Sequence, residues 1–470
     1  MRIGIIGTGI AGLRTAAELR ENGFAGEILA WDLERCPPYD RPPLSKNLFT
    51  DFTHLLAADG LGDFAALGVT VISDPADRVW RHDELLERFE DRWHIESAAP
   101  EEIVDAVVIA SGTQPLMTLP NALPLYTARD AHSLRARITP QSVVHIAGSG
   151  WLGTELAATI AAFGAHVELW GRSGHFLGAN LGAQVDELWQ GWCARAGVVW
   201  HPEAYPQKLW RGKPAFAEPD VLVEASGSRP ALGFVREPVA FSPRGALVVD
   251  VRGRVLAPNG DPIPGLFAAG DACDTYLPRQ VASEVSDNVP GDTPDLATRN
   301  TAYTSTGNPA FPGTSNPAFP GTSNPARIGT GTAAGTFAGN NSTRTVTGNA
   351  ARNFMDTREL LLGGHWRSAL ASAQRVAATI CGLPGPEWLP APEAFSTQFG
   401  HEIALLGSWE KISAAASSPT VTETATGQVF TWYDAAHPSR PQAVLTVDSP
   451  RETSRARRQL RIPVPPAARQ

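Results

Sequence analysis

Two glycine-spaced segments carry the clearest chemistry in the 470-residue chain. The first reads Gly7-Thr-Gly9-Ile-Ala11-Gly12 and the second Gly148-Ser-Gly150-Trp151-Leu152-Gly153. In such a motif the first glycine permits a tight turn, the second lets the backbone approach a pyrophosphate, and the third lets helix and strand pack closely. The helix start then offers unpaired N–H donors and a partial positive charge to the phosphates. One copy is a weak signal, but two in matching surroundings predict two dinucleotide sites. Asp32 ends the strand that follows the first helix, where a carboxylate accepts from a ribose hydroxyl. At that place the second copy has Gly171-Arg172-Ser173. Without a carboxylate, and with a cation and a hydroxyl, this pattern suits a 2′-phosphate and predicts NADP in preference to NAD. Further along, Gly265-Leu-Phe-Ala-Ala-Gly270-Asp271 reads as a short buried strand delivering a carboxylate at its C-terminal edge. The four cysteines, Cys36, Cys193, Cys273 and Cys381, are scattered with no CxxC pair, so neither a redox dithiol nor a metal site is predicted.

Matching elements must position these residues. Ile3-Gly-Ile-Ile6 is a short apolar strand, a helix runs from Leu13 to a cap at Asn22-Gly23, and Ile28-Leu-Ala-Trp31 is a second strand. Val143-Val-His-Ile146, a helix ending at Gly164 and Val167-Glu-Leu-Trp170 repeat the unit. Two further strands end in Ser-Gly turns at Gly112 and Gly227, read either as crossings close to a cofactor or as plain domain crossovers. Helical periodicity over 366–381 stops at Gly382 and Pro384, and alternation over 395–447 predicts strands. The predicted fold is α/β. Two Rossmann-like dinucleotide-binding domains are joined by a small α+β C-terminal domain and a low-complexity insertion. The first domain takes residues 1–115, 248–278 and 357–386, and the second takes 116–247. The insertion spans 279–356, the C-terminal domain 387–448, and a short helical turn with a frayed tail 449–470.

The insertion holds an eight-residue tandem repeat, Thr306-Gly-Asn-Pro-Ala-Phe-Pro-Gly313 and Thr314-Ser-Asn-Pro-Ala-Phe-Pro-Gly321, too poor in aliphatics to offset ordering entropy. It reads as a flexible loop or as a partner-binding segment. The net charge of −9 argues against sequence-independent nucleic-acid binding, and no apolar run approaches a membrane span. The chain starts in a strand rather than a signal peptide, so a cytoplasmic location is expected. The basic stretch Arg451 to Arg461 reads as a solvated tail.

Pro38-Tyr-Asp-Arg41-Pro-Pro-Leu-Ser-Lys46, the second glycine motif continuing into Thr154-Glu155, Ala268-Ala-Gly-Asp-Ala272 and the late helix together resemble the oxygenase-coupled ferredoxin reductases and apoptosis-inducing factor. The resemblance covers roughly 1–278 and 362–448. It implies FAD on Gly7, Gly9 and Gly12 with Arg41 nearby, and Asp271 on the ribityl chain. It places Lys46 by the flavin, paired with Glu155 at the mouth of the nicotinamide pocket. Breaking such a buried pair typically costs about 3–5 kcal/mol. Trp151 matches an aromatic that covers the flavin, though a packed core Trp is the other reading. Either Asp32 or Glu34 would take the FAD ribose. The family's Trp-Ser-Asp-Gln appears as Phe395-Ser-Thr-Gln398, and its Glu before the late helix falls on Gly364.

The activity implied is hydride transfer from NADPH or NADH to FAD, then electrons to a small acidic iron–sulfur ferredoxin serving an oxygenase. Two alternatives stay open: a stand-alone flavin oxidase or reductase of small molecules, and a redox-sensing binding protein similar to apoptosis-inducing factor. The oligomeric state is not readable from the residues.

Overall fold

The computed structural model describes residues 1–59, 61–81, 92–204, 219–278, 358–361, 366–408, 412, 418–433, 439–464 and 466. The octapeptide repeats lie outside the described residues.

The chain opens with β1 (Arg2–Ile6), α1 (Ile10–Glu21) and β2 (Glu27–Trp31), the strands parallel with Ile6 opposite Trp31. Helix α1 begins three residues before the apolar pattern does, because Gly9 is its extended N-cap residue. It closes at Gly23, whose φ of +84° lets the Phe24 N–H return to the Leu19 carbonyl. A single turn, α2 (Pro43–Lys46), starts on consecutive prolines, which suit a first helical turn. Next come β3 (Thr70–Ile72), an antiparallel trio β4 (Arg78–Arg81), β5 (Trp93–Glu96) and β6 (Glu102–Val104), then β7 (Ala106–Ile109) and β8 (Thr113–Pro115).

The second unit follows α3 (Ala128–Arg135), which Thr127 and Asp130 cap reciprocally. It comprises β9 (Val143–Ala147), α4 (Trp151–Phe163), β10 (His166–Gly171), α5 (Ala183–Arg195), β11 (Val199–Pro202) and β12 (Val221–Glu224). Its sheet is parallel in the order β11-β10-β9-β12. β13 (Ser228–Pro230) pairs antiparallel with β8. The turns at Gly112 (φ +66°) and Gly227 (φ +124°) lead into the two strands of this ribbon, by which the chain leaves and returns.

The chain then adds β14 (Leu247–Val249), β15 (Arg254–Leu256), β16 (Pro262–Ala268), β17 (Cys273–Pro278) and β18 (Arg358–Leu361) to the first sheet. That sheet has nine strands ordered β18-β17-β14-β15-β16-β7-β1-β2-β3. Helix α6 (Trp366–Ile380) lays Ala369, Ala373, Val376 and Ala377 against the buried face of α1.

Last come β19 (Trp388–Leu389), β20 (Glu393–Gln398), β21 (His401–Gly407), β22 (Thr420–Glu423), β23 (Gln428–Tyr433) and β24 (Pro441–Val447). The last five form an antiparallel sheet ordered β20-β21-β24-β23-β22. The predicted tail is corrected here: α7 (Pro450–Gln459) is a ten-residue helix, and β25 (Ile462–Pro463) pairs with β19. Its buried residues are Thr453 and Ala456, too small to make an apolar stripe in so basic a sequence. Ala456 nonetheless packs with Ala404, Leu406, Val429 and Val444.

Candidate functional site

Backbone packing dictates two of the three glycines in each motif and leaves the middle one open. Gly7 has a φ of +111°, and a Cβ there would lie 2.4 Å from the Ala110 carbonyl oxygen; one on Gly12 would lie 2.0 Å from the Gly7 oxygen. A Cβ on Gly9 would meet nothing within 4 Å. The second motif repeats this: Gly148 (φ +123°) abuts Ala225, Gly153 abuts Gly148, and Gly150 faces open space. Neither α1 nor α4 has a side-chain N-cap, so the first N–H groups of both helices remain available over that space. These two cradles are the shape and polarity a pyrophosphate needs. Leu152 follows in α4, half-buried, and Ala11 in α1, buried. A Cβ on Gly270 would stand 2.9 Å from that of Ala11, so the turn Gly270–Ala272 rests on the start of α1 and brings Asp271 beside the first cradle.

Asp32 is 5% exposed and accepts from the Thr8 hydroxyl at 2.7 Å and from the Glu34 and Cys36 N–H groups at 3.0 and 3.2 Å. It is committed to holding the loop after β2. Glu34 accepts from the Tyr39 hydroxyl at 2.6 Å and from Arg41 at 2.5 Å, and Arg41 also lies 4.5 Å from the Tyr126 ring centroid. Burial raises the Tyr39 phenol, which stays a donor to Glu34.

The same register identifies the counterpart of Asp32 in the second unit. Gly7 N–H donates to the Trp31 carbonyl at 3.1 Å, and Gly148 N–H to the Trp170 carbonyl at 2.8 Å. The next residue is Asp32 in one copy and Gly171 in the other. A Cβ on Gly171 would stand 2.0 Å from Cη2 of Trp200 and 2.6 Å from the Ser149 hydroxyl. Arg172 and Ser173 are exposed just beyond.

Lys46 at the end of α2 and Glu155 in α4 meet as the resemblance implied, with Nζ 3.5 Å from Oε1. The carboxylate also accepts the Ser45 hydroxyl and the Ser396 hydroxyl, each at 2.5 Å, so α2, α4 and β20 converge on it. Lys46 Nζ lies 5.8 Å from the ring centroid of Phe395, which is 39% exposed. Gln398 accepts the Trp189 indole N–H at 3.0 Å and donates to the Trp151 main-chain oxygen at 3.4 Å. Half-buried Trp151 packs against the large cluster built around the second sheet. The sequence reading did not single out Ser45, Ser396 or Gln398, although each stands inside a quoted motif.

Burial raises all four cysteine thiols, Cys36 up to about 11 and both Cys193 and Cys273 up to about 12, and all four are free. Among the described residues no group of His, Cys, Asp and Glu could hold a metal ion, and no helix is long and apolar enough to cross a membrane.

Residues 1–289 match the pyridine nucleotide-disulphide oxidoreductase family. Over 289 residues the chain is 28% identical to apoptosis-inducing factor 3 of Homo sapiens, covering 57% of this chain and 45% of that protein. Over 288 residues it is 28% identical to the ferredoxin–NAD(+) reductase subunit of the benzene 1,2-dioxygenase system of Pseudomonas putida, covering 57% and 66%. The chain thus spans about half to two thirds of the length of these relatives. Its fold is that of putidaredoxin reductase in its covalent complex with putidaredoxin, with a TM-score of 0.66 at 18% identity and coverage of 100% and 95%. Proteins of this family use FAD and a nicotinamide nucleotide, and the two open cradles fit both. The matched segment contains both glycine units, Lys46, Glu155 and Asp271: the chain belongs to the pyridine nucleotide-disulphide oxidoreductase family.

Proposed function

We propose that the protein is an FAD-dependent NADPH oxidoreductase that passes electrons to a small acidic ferredoxin-type iron–sulfur protein serving an oxygenase, in the cytoplasm. The observation that carries this reading is the Lys46–Glu155 pair, set where α2, α4 and β20 converge, in a chain whose cysteines form no dithiol. FAD, when bound, supplies hydride acceptance and one-electron release. Gly7, Gly9 and Gly12 hold its pyrophosphate and Asp271 its ribityl chain. Asp32 or Glu34 takes the ribose; Asp32 already accepts from three donors and Glu34 from two. Arg41 orients Glu34. The ammonium of Lys46, fixed by Glu155, provides a positive charge and a donor at the flavin, and Phe395 lies beside it. Gln398 ties Trp151 to the C-terminal sheet and so fixes one wall of the nicotinamide pocket.

The second cradle, Gly148, Gly150 and Gly153, takes the nicotinamide dinucleotide. NADPH is favoured over NADH because the place of Asp32 is held by Gly171, where Trp200 leaves no room for a carboxylate. Arg172 and Ser173 follow as partners for a 2′-phosphate.

The test is an anaerobic titration of the purified protein with each nucleotide, following the visible flavin absorbance. Bleaching by NADPH at a much higher kcat/KM than by NADH is expected; a colourless protein, or one that neither nucleotide reduces, refutes the reading. Cytochrome c reduction should be fast only when a ferredoxin is added. A steady oxidase rate with no carrier protein would replace the ferredoxin partner with a small-molecule acceptor.

A further inference from the structure

Helix α6 carries a second face beside the one that packs on α1. Ser368, Ala371, Ser372 and Arg375 follow one another at helical spacing and line a pocket. Its other walls are Gly270, Cys273 and Thr275, then Leu361, then Leu389, Pro390 and Pro392. It meets the turn that carries Asp271 at Gly270, whose N–H donates to the Ser372 hydroxyl at 2.9 Å.

Arg375 is 8% exposed, yet among the described residues its one side-chain hydrogen bond goes to the Thr275 hydroxyl at 3.0 Å, and its Nε has no partner. Among the described residues no carboxylate lies within salt-bridge distance of it. Asp250, whose charge acts on Arg375, receives Arg254 Nε at 2.6 Å, and Asp274, next to Thr275, receives Arg244 through Nε and Nη2 at 2.7–2.9 Å. A buried guanidinium without a counter-charge is costly, and its planar fork matches a planar oxyanion. The pocket has a polar wall of three hydroxyls, from Thr275, Ser368 and Ser372, and an apolar wall of Leu361, Leu389 and two prolines. That division suits a head of oxygens on a short hydrocarbon stem.

We propose that this pocket binds a small carboxylate, with Arg375 as its counter-charge and the Thr275 and Ser368 hydroxyls as further donors, the Ser372 hydroxyl being already donated to the Ala369 carbonyl. The pocket adjoins the first cradle through Gly270 and does not depend on the proposed electron transfer.

The test uses the FAD-loaded protein and sodium acetate as probe, against sodium chloride at equal ionic strength. The wild type should show a saturable rise in Tm, about 3 °C at a hundredfold excess over Kd, and a matching calorimetric isotherm. Arg375→Met keeps the volume and removes the charge; it should abolish both effects while flavin content stays unchanged. No saturable effect in the wild type, or an equal effect in Arg375→Met, overturns the proposal. If Arg375→Met does not fold, Thr275→Val, which frees the guanidinium from its hydroxyl, carries the same test. Acetate binding weakened several-fold supports the site, and unchanged affinity overturns it.

Discussion

The carboxylate of Glu155 accepts the hydroxyl of Ser396 at 2.5 Å, joining α4 of the second glycine unit to β20 of the C-terminal sheet. Ser45 and Lys46 complete its shell, so Glu155 closes three contacts at once. Glu155→Ala strands two buried hydroxyls and an ammonium that is 22% exposed, and should cost about 2–4 kcal/mol of stability. Glu155→Gln keeps an acceptor for one hydroxyl and should cost about half as much. Urea unfolding of the two variants checks this; equal losses would show that the charge, rather than acceptor geometry, sets the cost.

Nucleotide choice separates into two substitutions. Arg172→Ala should lower kcat/KM for NADPH by about 10- to 100-fold and leave NADH unchanged, the size of one charge-assisted contact. Gly171→Asp should fail to create an NADH enzyme, since its Cβ would stand 2.0 Å from Trp200. The expected result is a loss of about 2 kcal/mol or more in stability. A stable Gly171→Asp variant with raised NADH activity would falsify the steric argument.

The glycine units were legible because the same residues that make each turn also decide its packing: Gly12 fails against Gly7, and Gly153 against Gly148, whatever the rest of the chain does. Helix α6 was legible from its stop signals, and Gly382 does take a φ of +70°. Ser396 and Gln398 were not, because their partners Glu155 and Trp189 lie 241 and 209 residues away and leave no periodic trace. Asp32 and Glu34 could not be told apart by counting. Their partners could not be read either: Asp32 accepts the Thr8 hydroxyl brought across from the glycine turn, and Glu34 accepts Tyr39 and Arg41.

Acid should weaken the second sheet through His145. This side chain is fully buried in β9, and both ring nitrogens lack a hydrogen bond. Its ring faces Glu168, which also meets His166 and His201, and Trp170. Burial lowers its pKa below the ordinary 6.5, with Glu168 opposing. Below pH 6.5 the unfolded chain therefore binds a proton that the folded chain does not. Stability present above that pH is lost as pH falls, by up to about 1.4 kcal/mol per unit until the folded pKa is reached. His145→Leu should flatten Tm between pH 7.5 and 5.5; an unchanged acid slope would remove His145 as its source.

The basic segment at 450–459 belongs to the fold, which gives the last expectation. Glu393 is 6% exposed at its side chain and receives Arg457 at 2.5 and 2.9 Å, with Arg367 of α6 at 3.5 Å. Since β20 carries both Glu393 and Ser396, α7 braces the strand that reaches Glu155. Arg457→Ala leaves the buried carboxylate with the longer Arg367 contact alone and should cost about 1–3 kcal/mol. Deleting residues 450–470 also removes Ala456 from its apolar cluster and Val464 from Leu277 and Leu389, and should cost more than the point variant. Chemical unfolding of both forms decides it: a deletion no less stable than the whole chain would return this segment to the solvated tail that its charge suggests.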